Sequence, residues 1–217
     1  MEPTALTRTI ATTVHGRYLV RAPQTPPPWP ALFTFHGYAE DAAASLAAAE
    51  RIADASNWLV VAVQALHPFY TKNHRIVASW MTRQDRELAI PDNISYVRSV
   101  VAAVISEFAV TSPIVFAGFS QGVAMAYRAA AHIPADGVIA LAGDVPADIA
   151  PPQQLPQVLI GRGLTDEWYT EQKMTADVAR LNELATSVET TLFAGGHQWS
   201  EAFADTASGY LARLRRR

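Results

Sequence analysis

Residues 115–125 read VFAGFSQGVAM, with a lone serine, Ser120, between Gly118 and Gly122 at the end of an apolar run. Residues 113–117 are short, apolar and β-branched, whereas those after Gln121 are good helix formers, so the serine falls where a strand turns directly into a helix. A turn that sharp forces its central residue into strained backbone geometry, and small flanking residues let the two arms pass without collision. G-x-S-x-G in a strand-turn-helix setting is the pattern of a nucleophile elbow. A serine hydroxyl is a poor nucleophile until a base takes its proton, so the elbow has meaning only if the chain supplies partners.

On both sides of this turn, strand-like segments alternate with helical ones. Upstream, residues 16–21 read as a strand, the proline-rich residues 23–30 as an extended turn, and residues 31–35 (ALFTF) as a buried strand ending at His36-Gly37. Residues 41–56 are alanine-rich and helical, and residues 58–65 (WLVVAVQA) form a second buried strand. Residues 67–89 read as an irregular, aromatic-bearing loop. Pro91-Asp92-Asn93 then opens a helix whose apolar residues Ile94, Val97, Val101, Val104, Ile105 and Phe108 keep helical spacing. Downstream, strands are expected at 137–141, 158–160 and 189–193, with helices near 170–186 and from about 200. The alternation predicts an α/β fold: a mostly parallel central sheet flanked by helices on both faces, with the chemistry in loops at the carboxyl ends of the strands.

With 217 residues, half of them hydrophobic, the chain fits a single domain spanning residues 1–217. No repeat or compositional boundary marks a separate lid domain, and residues 67–89 are the largest candidate for shaping a pocket. The net charge of −3 and a pI near 6.1 give no electrostatic reason to expect nucleic acid or an anionic membrane as partner. The basic residues Arg213 and Arg215 to Arg217 suit a solvated helix end. Without cysteine there is no disulfide framework, thiolate nucleophile or cysteine-based metal site. No H-E-x-x-H, Walker loop or G-x-G-x-x-G occurs, so neither a metal nor another cofactor is expected. The apolar segments fall short of the ~20 residues of a membrane span, and residues 1–13 lack a signal-peptide core. The expectation is a soluble, cytoplasmic protein with a small-molecule ester substrate; the oligomeric state, a homodimer included, stays open.

Six histidines compete to activate Ser120. His15 precedes the first strand, and His132 lies at the far end of the helix after the elbow. His67 and His74 belong to the irregular loop, and His36 ends a strand beside a glycine, where ordering that turn is the simpler role. His197, in AGGHQW, follows the last strand, and Gly195-Gly196 lets a short loop fold it inward. The imidazole needs an acid to fix its tautomer. Asp144 (LAGDVPADI) and Asp166 (GLTDEWYT) both satisfy the chain order Ser, Asp, His. Position favours Asp166, which follows the strand just before the histidine-bearing one, with Gly161 and Gly163 giving its loop room to turn; Asp144 is the alternative. For an oxyanion, the Gln121 amide lies at a helix start, where donors are free, and the Tyr38 amide follows the His36-Gly37 strand end.

HGYAED, SWMTRQDRE, GFSQG, GLTDE and GGHQW, in this order, resemble the phospholipase/carboxylesterase branch of the α/β-hydrolases, related to acyl-protein thioesterases and dienelactone hydrolases. The likeness spans about residues 31–214. It implies an α/β-hydrolase fold, a Ser120, Asp166 and His197 triad, oxyanion donors at Tyr38 and Gln121, and Ser79-Trp80 matching a tryptophan beside the acyl pocket. The chain departs where the family often has glycine, at Ala39 and at Val123, and it lacks the cysteine nucleophile of dienelactone hydrolases. Aromatics crowd the same rim: Tyr38 and Tyr169 beside the candidate substrate-pocket residues Phe69, Tyr70, Trp80, Trp168 and Trp199. Together they favour a small apolar or aromatic ester, cleaved through an acyl-enzyme. A thioesterase or lactonase on the same residues, or a non-catalytic binding protein on the same fold, are the alternatives.

Overall fold

Leu59-Val60-Val61-Ala62-Val63 offers water no polar face. In the computed structural model, which describes residues 5–217, these residues are buried without exception. A strand buried on both faces needs helices above and below it, and the chain supplies them. The elements are β1 (Arg17–Arg21), β2 (Trp29–Phe35), α1 (Ala42–Glu50), β3 (Leu59–Gln64), β4 (His67–Tyr70), β5 (Ile76–Ser79), α2 (Arg86–Glu107) and β6 (Val110–Phe119). They continue as α3 (Gln121–His132), β7 (Gly137–Leu141), β8 (Gln157–Gly163), α4 (Glu171–Glu183), β9 (Val188–Phe193) and α5 (Glu201–Arg215).

Seven strands form one sheet in the order β1-β3-β2-β6-β7-β8-β9, with β1 antiparallel to β3 and every other pair parallel. From β2 the chain crosses to β3 on one side and later returns to place β6 on the other, so the strand order reverses between β2 and β6. A crevice opens at such a reversal, outside the carboxyl ends of the two strands. The Phe35↔Gly118 register brings the loops after β2 and β6 together there. Asp41 caps α1 by accepting from the Ala44 amide, Thr170 caps α4 and Ser200 caps α5, so the expected helix starts rest on side-chain caps.

Three expectations need correction. Residues 67–89 are not an irregular loop: β4 and β5 pair as an antiparallel hairpin, with Phe69 opposite Val77, and α2 begins at Arg86. The amides of Leu88 and Ala89 both reach the Asp85 carbonyl, so a first turn closes ahead of Pro91, which removes a single donor near an exposed helix start. The helix expected over 41–56 stops at Glu50, and a 3-10 turn follows over Ala53–Asn57. There the Asp54 carboxylate accepts from the Trp58 indole and the Asn57 amide, competing with the helical pattern. Finally, α2 is long and apolar enough to cross a membrane by length and composition. Its Val97, Val100, Val101 and Val104 are nevertheless buried in the core, where α2 packs on α3. The first four residues, part of the 1–13 stretch read above, lie outside the described residues.

Candidate active site

Ser120 sits between β6 and α3 with φ 51° and ψ −119°, a conformation L-residues rarely adopt. Its amide donates to the Leu141 carbonyl at 2.9 Å and its carbonyl accepts from Val123 at 3.0 Å, so the strained turn is fastened on both sides. The flanking glycines are there for close approach. A Cβ on Gly118 would stand 2.4 Å from the Gly122 carbonyl oxygen, and one on Gly122 would stand 2.2 Å from that of Phe35. The helix starts at Gln121, so valine at position 123 does not displace it.

The Ser120 hydroxyl lies 2.7 Å from His197 Nε2. On the far side of the ring, Nδ1 lies 2.9 Å from Oδ2 and 3.1 Å from Oδ1 of Asp166. Asp166 is buried, and its Oδ1 also accepts from the amides of Trp168 and Tyr169 at 2.8 and 2.9 Å, which fixes the carboxylate plane. The two loops are zipped together: Leu164 donates to the Phe193 carbonyl and Thr165 to that of Gly195, both at 2.9 Å. Gly163 serves this contact rather than loop freedom, since a Cβ there would meet the Gly196 carbonyl oxygen at 2.3 Å. Asp144 takes a different partner. Its carboxylate pairs with Lys173 at 3.3 Å, both groups about half exposed, and His197 is not among its contacts.

As the first residue of α3, Gln121 carries an amide with no acceptor in the preceding helical turn. The Tyr38 amide meets no protein acceptor among the described residues. The loop that carries it is held by one bond within itself and two to Ala78 of β5. The Gly37 amide donates to Glu40 Oε2 at 2.7 Å, the Ala39 amide to the Ala78 carbonyl, and the Ala78 amide to the Glu40 carbonyl. Ala39, where the family often has glycine, has φ 58°, a left-handed conformation that costs about 1 kcal/mol for a residue with a Cβ. Burial raises the Glu40 carboxyl above the ordinary range, against the opposing influence of the Gly37 amide and His197. His36 orders this turn, as expected: one ring nitrogen bonds the Gly37 carbonyl and the other accepts from the Ala65 amide, and burial pushes its pKa down.

Several of these contacts were not foreseen. Glu40 lay unused in HGYAED. The Gln121 side chain ties the Ser120 turn to residues 79–81, accepting from the Trp80 amide at 2.9 Å and donating to the Met81 carbonyl at 2.9 Å. Asn93 holds the Trp80 carbonyl. The pocket expectation needs correction at Trp80, which is fully buried; its indole N–H donates to the His36 carbonyl and its ring packs on Phe35, so it braces the loop from beneath. Two clefts flank His197. One, of about 440 Å³, is lined by Ser120, Gln121, Met81, Thr82, Arg83, Arg86, Asp144, Trp168, Tyr169 and Lys173 among others. The second, of about 390 Å³, is lined by Glu40, Ala44, Ala47, Ala48, Arg51, Phe119 and Trp199 beside His197 and Gln198. Of the five candidate pocket aromatics, Trp168 thus faces the first cleft and Trp199 the second. Phe69 and Tyr70 stand on the hairpin outside both, Phe69 packed at a tilt near Tyr38 with ring centroids 5.7 Å apart.

Residues 19–213 match the model of the phospholipase/carboxylesterase family. The chain belongs to that family of hydrolases. Esterase PE8 is 21% identical with a TM-score of 0.75, the alignment covering 93% of this hydrolase and 100% of that chain. The carboxylesterase of Bacillus cereus is 18% identical with a TM-score of 0.71, covering 92% and 94%. A carboxylesterase from Mesorhizobium loti is 21% identical with a TM-score of 0.72, covering 84% and 88%. At these identities the likeness carries the α/β-hydrolase fold. No curated protein sequence matches this hydrolase.

Proposed function

We propose that the protein is a serine carboxylesterase in which Ser120 is the nucleophile, His197 the base and Asp166 the residue that orients it. The observation that carries this reading is the unbroken chain from the Ser120 hydroxyl through both ring nitrogens of His197 to a buried carboxylate. In the first half-reaction the Ser120 oxygen attacks the ester carbonyl carbon while its proton passes to His197 Nε2. The tetrahedral oxyanion points toward the Tyr38 and Gln121 amides, where the start of α3 also favours negative charge. Collapse breaks the bond to the alcohol, which leaves with the proton from His197. Water then repeats the sequence on the acyl-enzyme, releasing the acid and restoring the serine. No redox partner or metal enters this balance.

The apolar lining of the second cleft by Ala44, Ala47, Ala48, Phe119 and Trp199 suits the apolar or aromatic part of a small ester. The reading includes a soluble enzyme, since α2 commits Val97, Val100, Val101 and Val104 to the core, and keeps the cytoplasm as its proposed location. A panel of esters, thioesters and lactones graded by chain length, with a chelator present, tests the proposal. Ester turnover that survives the chelator and disappears in Ser120→Ala is expected. Absence of turnover on every ester, or equal turnover by the variant, would overturn it.

A further inference from the structure

The cleft in front of Ser120 is not a neutral slot. Its lining includes Arg83, Arg86 and Lys173, and the only carboxylate there among the described residues is Asp144, already paired with Lys173. Among the described residues, neither Arg83 nor Arg86 is held by a side-chain hydrogen bond or close ion pair, although the Arg86 charge reaches the Asp148 carboxyl and helps to lower it. Arg128 forms a bidentate pair with Asp148 at 2.7 and 2.8 Å, which leaves that carboxylate engaged chiefly by Arg128 and only secondarily by Arg86. On a chain whose net charge is −3, this local excess of cations runs against the average.

Charge is also sorted along the segment. Residues 82–86 read TRQDR; Arg83 and Arg86 line the serine cleft, whereas Gln84 and Asp85 line the neighbouring depression together with Asp92. The cations are not placed to stabilise helices. Arg86 opens α2 and Lys173 lies in the first turn of α4, the helix ends at which the dipole disfavours a positive side chain. A row of cations beside a nucleophile, with low-dielectric walls on one side, concentrates negatively charged substrate and fixes its orientation.

We infer that the ester this enzyme prefers carries a carboxylate, seated against Arg83 and Arg86 with Lys173 at the edge, while its scissile carbonyl meets Ser120. The inference rests on the serine-hydrolase reading above and specifies its substrate class: anionic esters such as half-esters of dicarboxylic acids. Asp144 acts against the preference by neutralising Lys173. Guanidinium groups suit such a ligand because their paired N–H donors match a carboxylate.

The test compares matched esters by proton release at constant pH: monomethyl adipate against methyl hexanoate for charge on the acyl side, and 4-acetoxybenzoate against 4-acetoxybenzamide for charge on the alcohol side. At low ionic strength the wild type should favour the anionic member of at least one pair by about tenfold in kcat/KM, and that ratio should fall in about 0.5 M salt as screening shortens the reach of the cations. The double variant Arg83→Gln/Arg86→Gln should lower the ratio, and Asp144→Asn should raise it. A general loss of folding or activity does not move a ratio in opposite directions in two variants. Neutral esters turned over without any preference for their anionic partners, or ratios unmoved by the double variant, would overturn this inference and leave the hydrolase intact. Failure to turn over any ester would remove the hydrolase reading and this inference together.

Discussion

The turn at Ser120 and the segment over residues 82–86 face each other across one cleft and are held in opposite ways. Around Ser120 nearly every degree of freedom is spoken for: the strained backbone is bonded to Leu141 and Val123, Gly118 and Gly122 leave no room for a Cβ, and Gln121 pins residues 79–81 from the side. Across the cleft, Thr82, Arg83 and Arg86 are exposed, and the two arginines are held by no side-chain hydrogen bond or close ion pair among the described residues. Rigid placement suits a step in which reacting atoms must meet within a fraction of an ångström. Long, solvated cations suit recognition of a charge at a distance. On the proposed reading, the rigid side acts on the scissile bond and the solvated side selects the molecule that carries it.

Substitutions on the two sides should therefore fail differently. The largest effect is expected for Ser120→Ala, a loss on the order of 10⁴ to 10⁶ in kcat with an unchanged circular dichroism spectrum and melting temperature. Asp166→Asn should lose roughly 10⁴ in kcat, because an amide can hold the wrong imidazole tautomer while preserving geometry. Asp144→Asn, measured on the same neutral ester, should lose less than about tenfold. A larger loss at Asp144 would erase the contrast between the two sides.

Between them lies the Arg128 and Asp148 pair under Met81. Asp148→Ala leaves a fully buried guanidinium without its carboxylate, but that carboxylate is 38% exposed and partly screened by solvent, so the cost should be about 1–2 kcal/mol of stability in urea unfolding near pH 7. The Arg128 side chain holds the Asp148 carboxyl below its ordinary value of 3.8, so this stabilisation is fully present above pH 3.8 and is lost only as the pH falls through the lower, folded-state value. The gap between wild type and variant should accordingly persist at pH 5. A gap already closed at pH 5 would mean that the pair contributes little.

The smallest expected effect is at Glu40. Burial raises its carboxyl above 4.5, so the ionised form costs stability once the pH has risen through the folded-state value, and the cost vanishes below 4.5. Glu40→Gln can still accept from the Gly37 amide, so its melting temperature at pH 8 should match or exceed that of wild type by about 1–3 °C, with the difference closing as the pH falls toward 4.5. A lower melting temperature at pH 8 would show that the loop needs the charge and not only the acceptor.

Much of the rigid side was legible in the sequence because its constraints are local or topological. The spacing of Gly118, Ser120 and Gly122 reflects a steric requirement of the turn itself, and strand alternation places Asp166 and His197 on neighbouring loops. The hairpin was not legible. HPFY is four residues long with an internal proline, and its pairing with IVAS across a polar turn leaves little local pattern. Pro91 looked like a helix start because a proline favours one, whereas the Asp85 carbonyl that closes the true first turn has no sequence signature. Trp80 was visible as an aromatic beside the site, but only tertiary structure turns its indole toward the His36 carbonyl. Arg83 and Arg86 stood in plain view in SWMTRQDRE. Their shared facing, and the opposite facing of Asp85, depend on how residues 82–86 leave the hairpin.

The central claim is that Ser120 forms the acyl-enzyme, and titration with a fluorophosphonate followed by intact-mass and peptide analysis tests it most directly. One equivalent of label per chain, confined to the peptide containing Ser120 and absent from Ser120→Ala, should track loss of ester turnover in proportion. Full labelling with turnover retained, or a label on any other residue that accounts for the inactivation, would contradict the account.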